Sequence, residues 1–176
     1  SLANANLNIK LTTPTGGVLE DSWFDICEDT GNGPTKTGSC TGQGVNQEGE
    51  GSLNVEPGNY YLRVNPGSSQ PFASKTYAVT VSSDGVASVT GLTKTGDVWV
   101  LAAAAPNLSG RILTPAGDTL TVSNGQGFDI QLQKWDSNKN YWEYITNQWK
   151  NTADFAFKVS AAGKYRLTIN PRGFSQ

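Results

Sequence analysis

Gly58-Asn-Tyr-Tyr-Leu-Arg-Val-Asn-Pro66 and Gly163-Lys-Tyr-Arg-Leu-Thr-Ile-Asn-Pro171 are two versions of one stretch, 105 residues apart. In each, Tyr, Leu and a β-branched residue alternate with other side chains, the period-two pattern of a half-buried antiparallel strand. The likeness extends outward. Asn6-Leu7 ahead of Thr13-Pro14 and Gly16 recurs as Asn107-Leu108 ahead of Thr114-Pro115 and Gly117, at an offset of 101. Phe24-Asp-Ile26 recurs as Phe128-Asp-Ile130 at an offset of 104. Three blocks in the same order with so little drift identify an internal duplication. Residues 1–101 form the first repeat, 102–106 a linker or interdomain strand, and 107–176 the second repeat. After Asn65-Pro66 the first copy runs on through Tyr77-Ala-Val-Thr-Val81, Val86-Ala-Ser-Val89 and Val98-Trp-Val-Leu101. The second copy carries five residues after Pro171, so it is expected to lack its closing strands.

Other segments follow the same rule. Leu7, Ile9 and Leu11 alternate with Asn8, Lys10 and Thr12, and Phe155, Phe157 and Val159 with polar or small neighbours. Turn signals separate them: Thr15-Gly-Gly17, Glu56-Pro-Gly-Asn59, Ser83-Asp-Gly85 and Asp136-Ser-Asn-Lys-Asn140. No stretch has helical periodicity, and Pro106 pushes Ala105 toward an extended backbone. The expected fold is all-β: two tandem Ig-like or transthyretin-like antiparallel β-sandwiches, the second without its closing strands.

Composition narrows the function. The 176 residues carry 13 basic and 15 acidic side chains, a net charge of −2, which does not favour nucleic acid or an anionic membrane as partner. No apolar run is long enough to span a bilayer. The absence of His removes Ser-His-Asp and Cys-His catalysis and every His-ligated metal site. No cofactor is implied, and no acidic pair carries a glycosidase signature.

The order of blocks, from the Thr-Pro-x-Gly turn and the Phe-Asp-Ile strand to Leu53-Asn-Val-Glu-Pro-Gly-Asn-Tyr-Tyr-Leu62 and Tyr77-Ala-Val-Thr-Val81, resembles the Cna protein B-type domains and the related carboxypeptidase regulatory-like domains. These are transthyretin-like sandwiches of bacterial surface adhesins and pilins. The resemblance covers nearly all of the first copy and about two thirds of the second. Its most specific element is Pro57-Gly-x-Tyr-x-Leu62. It implies tandem stalk modules with a structural or adhesive role. Many B-type domains also hold an isopeptide bond from a first-strand Lys. Here Lys10 faces away from Leu7, Ile9 and Leu11, its counterpart is Arg111, and the family Glu falls at Val64 and Ile169. That motif is broken in both copies.

Four sets of residues are candidates for chemistry. Cys27 and Cys40 flank twelve residues rich in Gly and Thr, the spacing of a disulfide across a hairpin-like loop. Trp135, Tyr141, Trp142, Tyr144 and Trp149 crowd into one region of the second copy, a composition suited to ligand or partner contact but equally to packing. Asp136, Asn138 and Asn140 carry oxygens at alternate positions like the start of a calcium loop, although Tyr141 replaces the required Gly and a polar hairpin turn explains the same residues. Asn107-Leu-Ser109 is a glycosylation sequon.

These readings lead to a non-enzymatic extracellular or cell-surface protein, a stalk or fibre subunit. Its partners are neighbouring copies of itself, adjacent repeats, or glycans and cell surfaces. A carbohydrate-binding module using the aromatic patch is the alternative. An open second repeat invites a strand from a neighbour, and residues 1–11 are the expected donor, giving a head-to-tail fibre.

Overall fold

The computed structural model describes residues 5–174, and these are all-β. They form two compact units. One holds the described residues up to Gly67 together with Phe72–Ala105, the other Ser68–Pro71 together with those from Pro106 onward.

The first unit has two sheets. β1 (Leu7–Thr12), β4 (Glu50–Leu53) and β8 (Trp99–Ala102) lie in the order β4-β1-β8. β2 (Trp23–Glu28), β3 (Cys40–Gly44), β5 (Gly58–Asn65), β6 (Lys75–Val81) and β7 (Ala87–Val89) lie in the order β3-β2-β5-β6-β7. All strand pairs are antiparallel except β1 with β8, which run parallel because β8 reaches β1 over a long connection. Leu7, Ile9, Leu11, Trp99 and Leu101 from one sheet meet Phe24, Ile26, Leu62, Val64, Tyr77, Val79 and Val81 from the other in one buried cluster. Each fully buried aliphatic side chain here contributes about 1.5–3 kcal/mol. The segment 102–105 belongs to this unit. The Ala103 N–H donates to the Thr12 carbonyl, and Ala104 exchanges backbone hydrogen bonds with Ala73.

The second unit repeats part of this plan. β9 (Leu108–Arg111) pairs with β12 (Asp154–Phe157) as β1 pairs with β4. β10 (Gly127–Asp136) lies between β11 (Tyr141–Lys150) and β13 (Tyr165–Arg172), as β2 lies between β3 and β5. Among the described residues no strand takes the places of β6, β7 and β8. The buried core is correspondingly small: Phe128, Ile130, Leu132 and Phe157, ringed by half-buried residues such as Leu108, Ile112 and Leu167.

Matching side chains do matching work in the two units. The Asn6 amide brackets Val55, accepting its N–H at 2.8 Å and donating to its carbonyl at 2.7 Å. Asn107 brackets Val159 in the same way, at 2.8 Å for both bonds. The Tyr60 hydroxyl donates to the Glu56 carbonyl and that of Tyr165 to the Ala161 carbonyl, each four residues upstream. The turns after β1 and β9 use Gly16 and Gly117 at φ of 93° and 90°, a conformation that favours glycine at both.

Where the copies differ, they compensate. In the first unit Ile9 lies opposite Gly51, whereas in the second Gly110 lies opposite Phe155. The large side chain has changed strands. A Cβ on Gly110 would sit 2.6 Å from the Phe155 ring, so that ring fills the space an Ile9-like side chain would need.

The expected strand donor is already in use. Residues 1–4 lie outside the described residues, but β1 is paired on both sides, by β4 and β8, and Leu7, Ile9 and Leu11 are buried. Donating it would dismantle the middle of its own sheet.

The exchanged pair yields a double-mutant prediction. Gly110→Ile alone overpacks the site and destabilises the second unit by about 1–3 kcal/mol. Combined with Phe155→Gly it costs less than the sum of the two single changes. Urea unfolding of the four proteins measures the coupling.

Candidate functional site

The central strand of the second unit is the place to begin. Phe128, Ile130 and Leu132 of β10 are buried, so Asp129, Gln131, Gln133 and Trp135 occupy the opposite face of the sheet. Register carries that face across the neighbouring strands. Asp129 lies opposite Trp149, Gln131 opposite Asn147, Gln133 opposite Tyr144 and Trp135 opposite Trp142. On the other side, Gln133 lies opposite Arg166 and Gln131 opposite Thr168.

A β-bulge assembles the aromatic part. Strict alternation backward from Trp149 and Asn147 would place Ile145 on the outer face and Tyr144 on the inner one. The register shifts between Leu132 and Gln133, leaving Ile145 as the extra residue of β11. Tyr144 and Trp142 thereby join Asn147 and Trp149 on one side. Ile145 instead packs against the core.

The residues of this face are tied to one another. The Trp135 and Trp142 rings meet edge to face at 5.4 Å, and the Arg166 guanidinium lies 4.6 Å from the centroid of Trp142. Arg166 also donates through Nε and Nη2 to the Gln133 side-chain oxygen at 2.8 and 2.6 Å, which holds the guanidinium in place. The Tyr144 hydroxyl donates to Asn147 Oδ1 at 3.0 Å, and Asn147 Nδ2 donates to Asp129 Oδ1 at 3.0 Å. Trp149 spreads its ring across Gly127, where a Cβ would come within 2.6 Å. Tyr144 and Trp149 are 45% and 42% exposed, and Trp135 and Trp142 are half-buried. The result is a braced surface of aromatic rings interspersed with amides, one carboxylate and one guanidinium. Such a surface stacks on apolar faces of a ligand and exchanges hydrogen bonds with its polar edges.

Of the five predicted aromatic contacts, Trp135, Trp142, Tyr144 and Trp149 fall on this face. Tyr141 does not. It lies opposite Asp136 at the hairpin end, with the Lys139 ammonium 5.7 Å from its ring centroid. Asp129, Gln131, Gln133, Asn147 and Arg166 were missed. The alternation after Phe128 already pointed to the first three. Asn147 and Arg166 join only through register.

The oxygens of Asp136, Asn138 and Asn140 lie in the β10–β11 turn. Asp136 Oδ1 accepts the N–H groups of Asn138 and Lys139 at 2.9 and 3.2 Å, its Oδ2 lies 3.3 Å from the Lys139 ammonium, and Asn140 takes φ of 56°. The Lys139 N–H above all, with smaller help from the Lys139 ammonium and the Asn138 N–H, holds the Asp136 carboxyl below its ordinary 3.8. Among the described residues no three His, Cys, Asp or Glu side chains converge. Lys10 Nζ lies 3.9 Å from Glu50 on the first unit's surface. The sequon residue Asn107 spends its amide on Val159.

The corresponding face of the first unit carries different chemistry. Cys27 and Cys40 lie directly opposite each other on β2 and β3 and are joined as a disulfide. Asp25 accepts from Arg63 at 3.1 Å and from Asn65 at 2.8 Å beside it.

No protein-family model matches the sequence, and no curated protein matches it. Two solved structures of bacterial pilus adhesins resemble the chain. The pilus adhesin RrgA from Streptococcus pneumoniae shares 20% identity over 77% of this chain, with a TM-score of 0.39. This chain spans 19% of that protein's length. The C-terminal fragment of the pilus adhesin SpaC from Lactobacillus rhamnosus GG shares 16% identity over 96% of this chain and 76% of its own, with a TM-score of 0.37.

Two outcomes are expected. Cys27→Ser with Cys40→Ser lowers the first unit's stability by roughly 3 kcal/mol, the chain-entropy value for so short a loop, as read by thermal unfolding. The Asp136 carboxyl titrates below 3.8 by NMR. A depressed carboxylate contributes fully above the ordinary value, and the contribution is lost as the pH falls through the lower folded value.

Proposed function

We propose that this chain is a non-enzymatic extracellular module of the Cna B-type or carboxypeptidase regulatory-like kind. Its tandem sandwiches serve a bacterial cell-surface structure as a structural and adhesive element. The outer face of β11-β10-β13 is its contact surface. The observation that carries this reading is the β-bulge that gathers Trp142, Tyr144, Asn147 and Trp149 on one side of a sheet whose other side is core. The bulge turns Ile145 to the core in place of Tyr144. It exposes large aromatic side chains that an ordinary sandwich would turn inward, and exposed aromatics in a braced polar setting suit contact with a ligand or partner. The Cys27–Cys40 disulfide agrees with an oxidising, extracellular setting.

A second reading, a carbohydrate-binding module of a secreted protein, draws on the same face. Flat rings bordered by Gln133, Asn147, Asp129 and Arg166 offer a sugar both a stacking platform and hydrogen-bonding groups.

Retention of the labelled protein on immobilised glycans and on protein-coated surfaces tests both. Trp142→Ala and Tyr144→Ala are each expected to lower affinity roughly fivefold, the scale of one lost aromatic contact worth about 1 kcal/mol. Binding confined to glycans favours the carbohydrate module, and binding to protein surfaces favours the adhesive module. Retention on neither, or retention that both substitutions leave unchanged, overturns the assignment of this face.

A further inference from the structure

The outer face of β11-β10-β13 is sorted by strand. β11 contributes the rings of Trp142, Tyr144 and Trp149 with Asn147 among them. β10 contributes Asp129, Gln131, Gln133 and Trp135, and β13 contributes Arg166, Thr168, Asn170 and Arg172. The rings of β11 therefore form a row along the strand, beside a row on β10 that is mostly polar. Trp149 stands opposite Asp129 and Trp142 opposite Trp135, six positions along β10, a span of about 20 Å at roughly 3.4 Å per residue. That is longer than any single sugar ring or amino-acid side chain.

Hydrogen bonding leaves the middle of the face open. Gln133 is engaged by Arg166, and the Asn147 amide joins Tyr144 to Asp129. Between these two groups lies Gln131, half-buried, with Asn147 opposite it on one side and Thr168 on the other. Its side-chain amide makes no hydrogen bond to any described residue. The charges on the face are also spread out. Arg172, Asp129 and Arg166 alternate in sign along the sheet, so neither a polyanion nor a polycation is favoured. Among the described residues of this face there is no Leu, Ile, Val or Phe side chain to form an aliphatic pocket.

From these observations we propose that the face binds a neutral, extended polysaccharide whose chain runs along β11. The inference rests on this face being the contact surface, and adds the ligand class, its direction and its length. Sugar rings lay their apolar C–H faces on Tyr144 and Trp149, and the units between them turn hydroxyls to the open amide of Gln131. Trp142, braced by Arg166 and Trp135, closes one end of the row. Units already linked in one chain lose their translational freedom once, so affinity grows with each unit until the row is covered.

The test is calorimetric titration of the intact chain with β-1,4-linked oligomers of glucose, of mannose and of N-acetylglucosamine, from one unit to six. At least one series is expected to gain roughly tenfold or more in affinity with length, the scale of one or two added aromatic contacts, and then to level off. Trp149→Ala is expected to bring the levelling-off to a shorter oligomer. Gln131→Leu is expected to weaken binding of the longest oligomer roughly tenfold, the scale of a hydrogen bond left unmade, with the melting temperature unchanged. Oligogalacturonates of the same lengths are the acidic comparison and are expected to bind more weakly. Equal affinity for one unit and six overturns the inference, as does a Trp149→Ala length profile identical to that of the parent chain. Tighter binding of the acidic series does so too. If no oligomer binds while Trp142 and Tyr144 still govern retention on protein-coated surfaces, this inference fails and the face remains a contact surface. If the chain is retained on neither, both fail.

Discussion

Burial of Phe128, Ile130 and Leu132 on one side of β10 is the constraint from which the second unit follows. Side chains on a strand alternate between two faces, so committing these three to the core commits Asp129, Gln131, Gln133 and Trp135 to the other side. A one-residue slip would exchange the two sets and expose the core, which is why the register is strongly held. β10 is also the strand on which both neighbours pair, β11 on one side and β13 on the other. Core and aromatic face are therefore two faces of one strand. The same holds in the first unit, where Phe24 and Ile26 are buried and Asp25 and Cys27 lie on the other side of β2.

The duplication has diverged under that constraint in a recognisable way. At the crossing of β1 and β4 the large partner is Ile9 and the small one Gly51, whereas at β9 and β12 the large partner is Phe155 and the small one Gly110. The outer face shows a parallel exchange. Trp23 on β2 stands where β10 has Gly127, and Gly42 on β3 stands where β11 has Trp149, whose ring lies over Gly127. Close-packed interiors tolerate redistribution of volume between facing strands far better than a net gain or loss of volume. With the core requirement met in either arrangement, the outer face was free to carry a disulfide and an Asp–Arg pair in one copy and an aromatic surface in the other.

Much of the fold could be read before any coordinates. The matching blocks around Tyr60 and Tyr165, Phe24 and Phe128, and Asn6 and Asn107 stand at equivalent places in the two units, and the Thr-Pro-x-Gly turns take the same backbone form. The aromatic cluster was legible as a cluster, but its membership was not. Tyr141 separates from the rest at the hairpin end, while Asn147 and Arg166 enter through cross-strand register, which links residues far apart in the chain. The paired strands of β1 were equally hidden. A segment that reads as an available N-terminal strand is occupied on both sides.

The amino-acid sequence alone determined the period-two strands, the duplication and the nearness of Cys27 to Cys40 along the chain. These depend on local alternation and on self-similarity, which need no knowledge of partners. Tertiary structure alone decided which strands pair, where the bulge at Ile145 falls, and which edge of the second unit is left with its apolar residues half covered. Each of those is a choice between competing pairings of whole strands. The choice is settled by how much apolar surface each arrangement buries and how many backbone groups it satisfies, quantities that exist only once the strands have met.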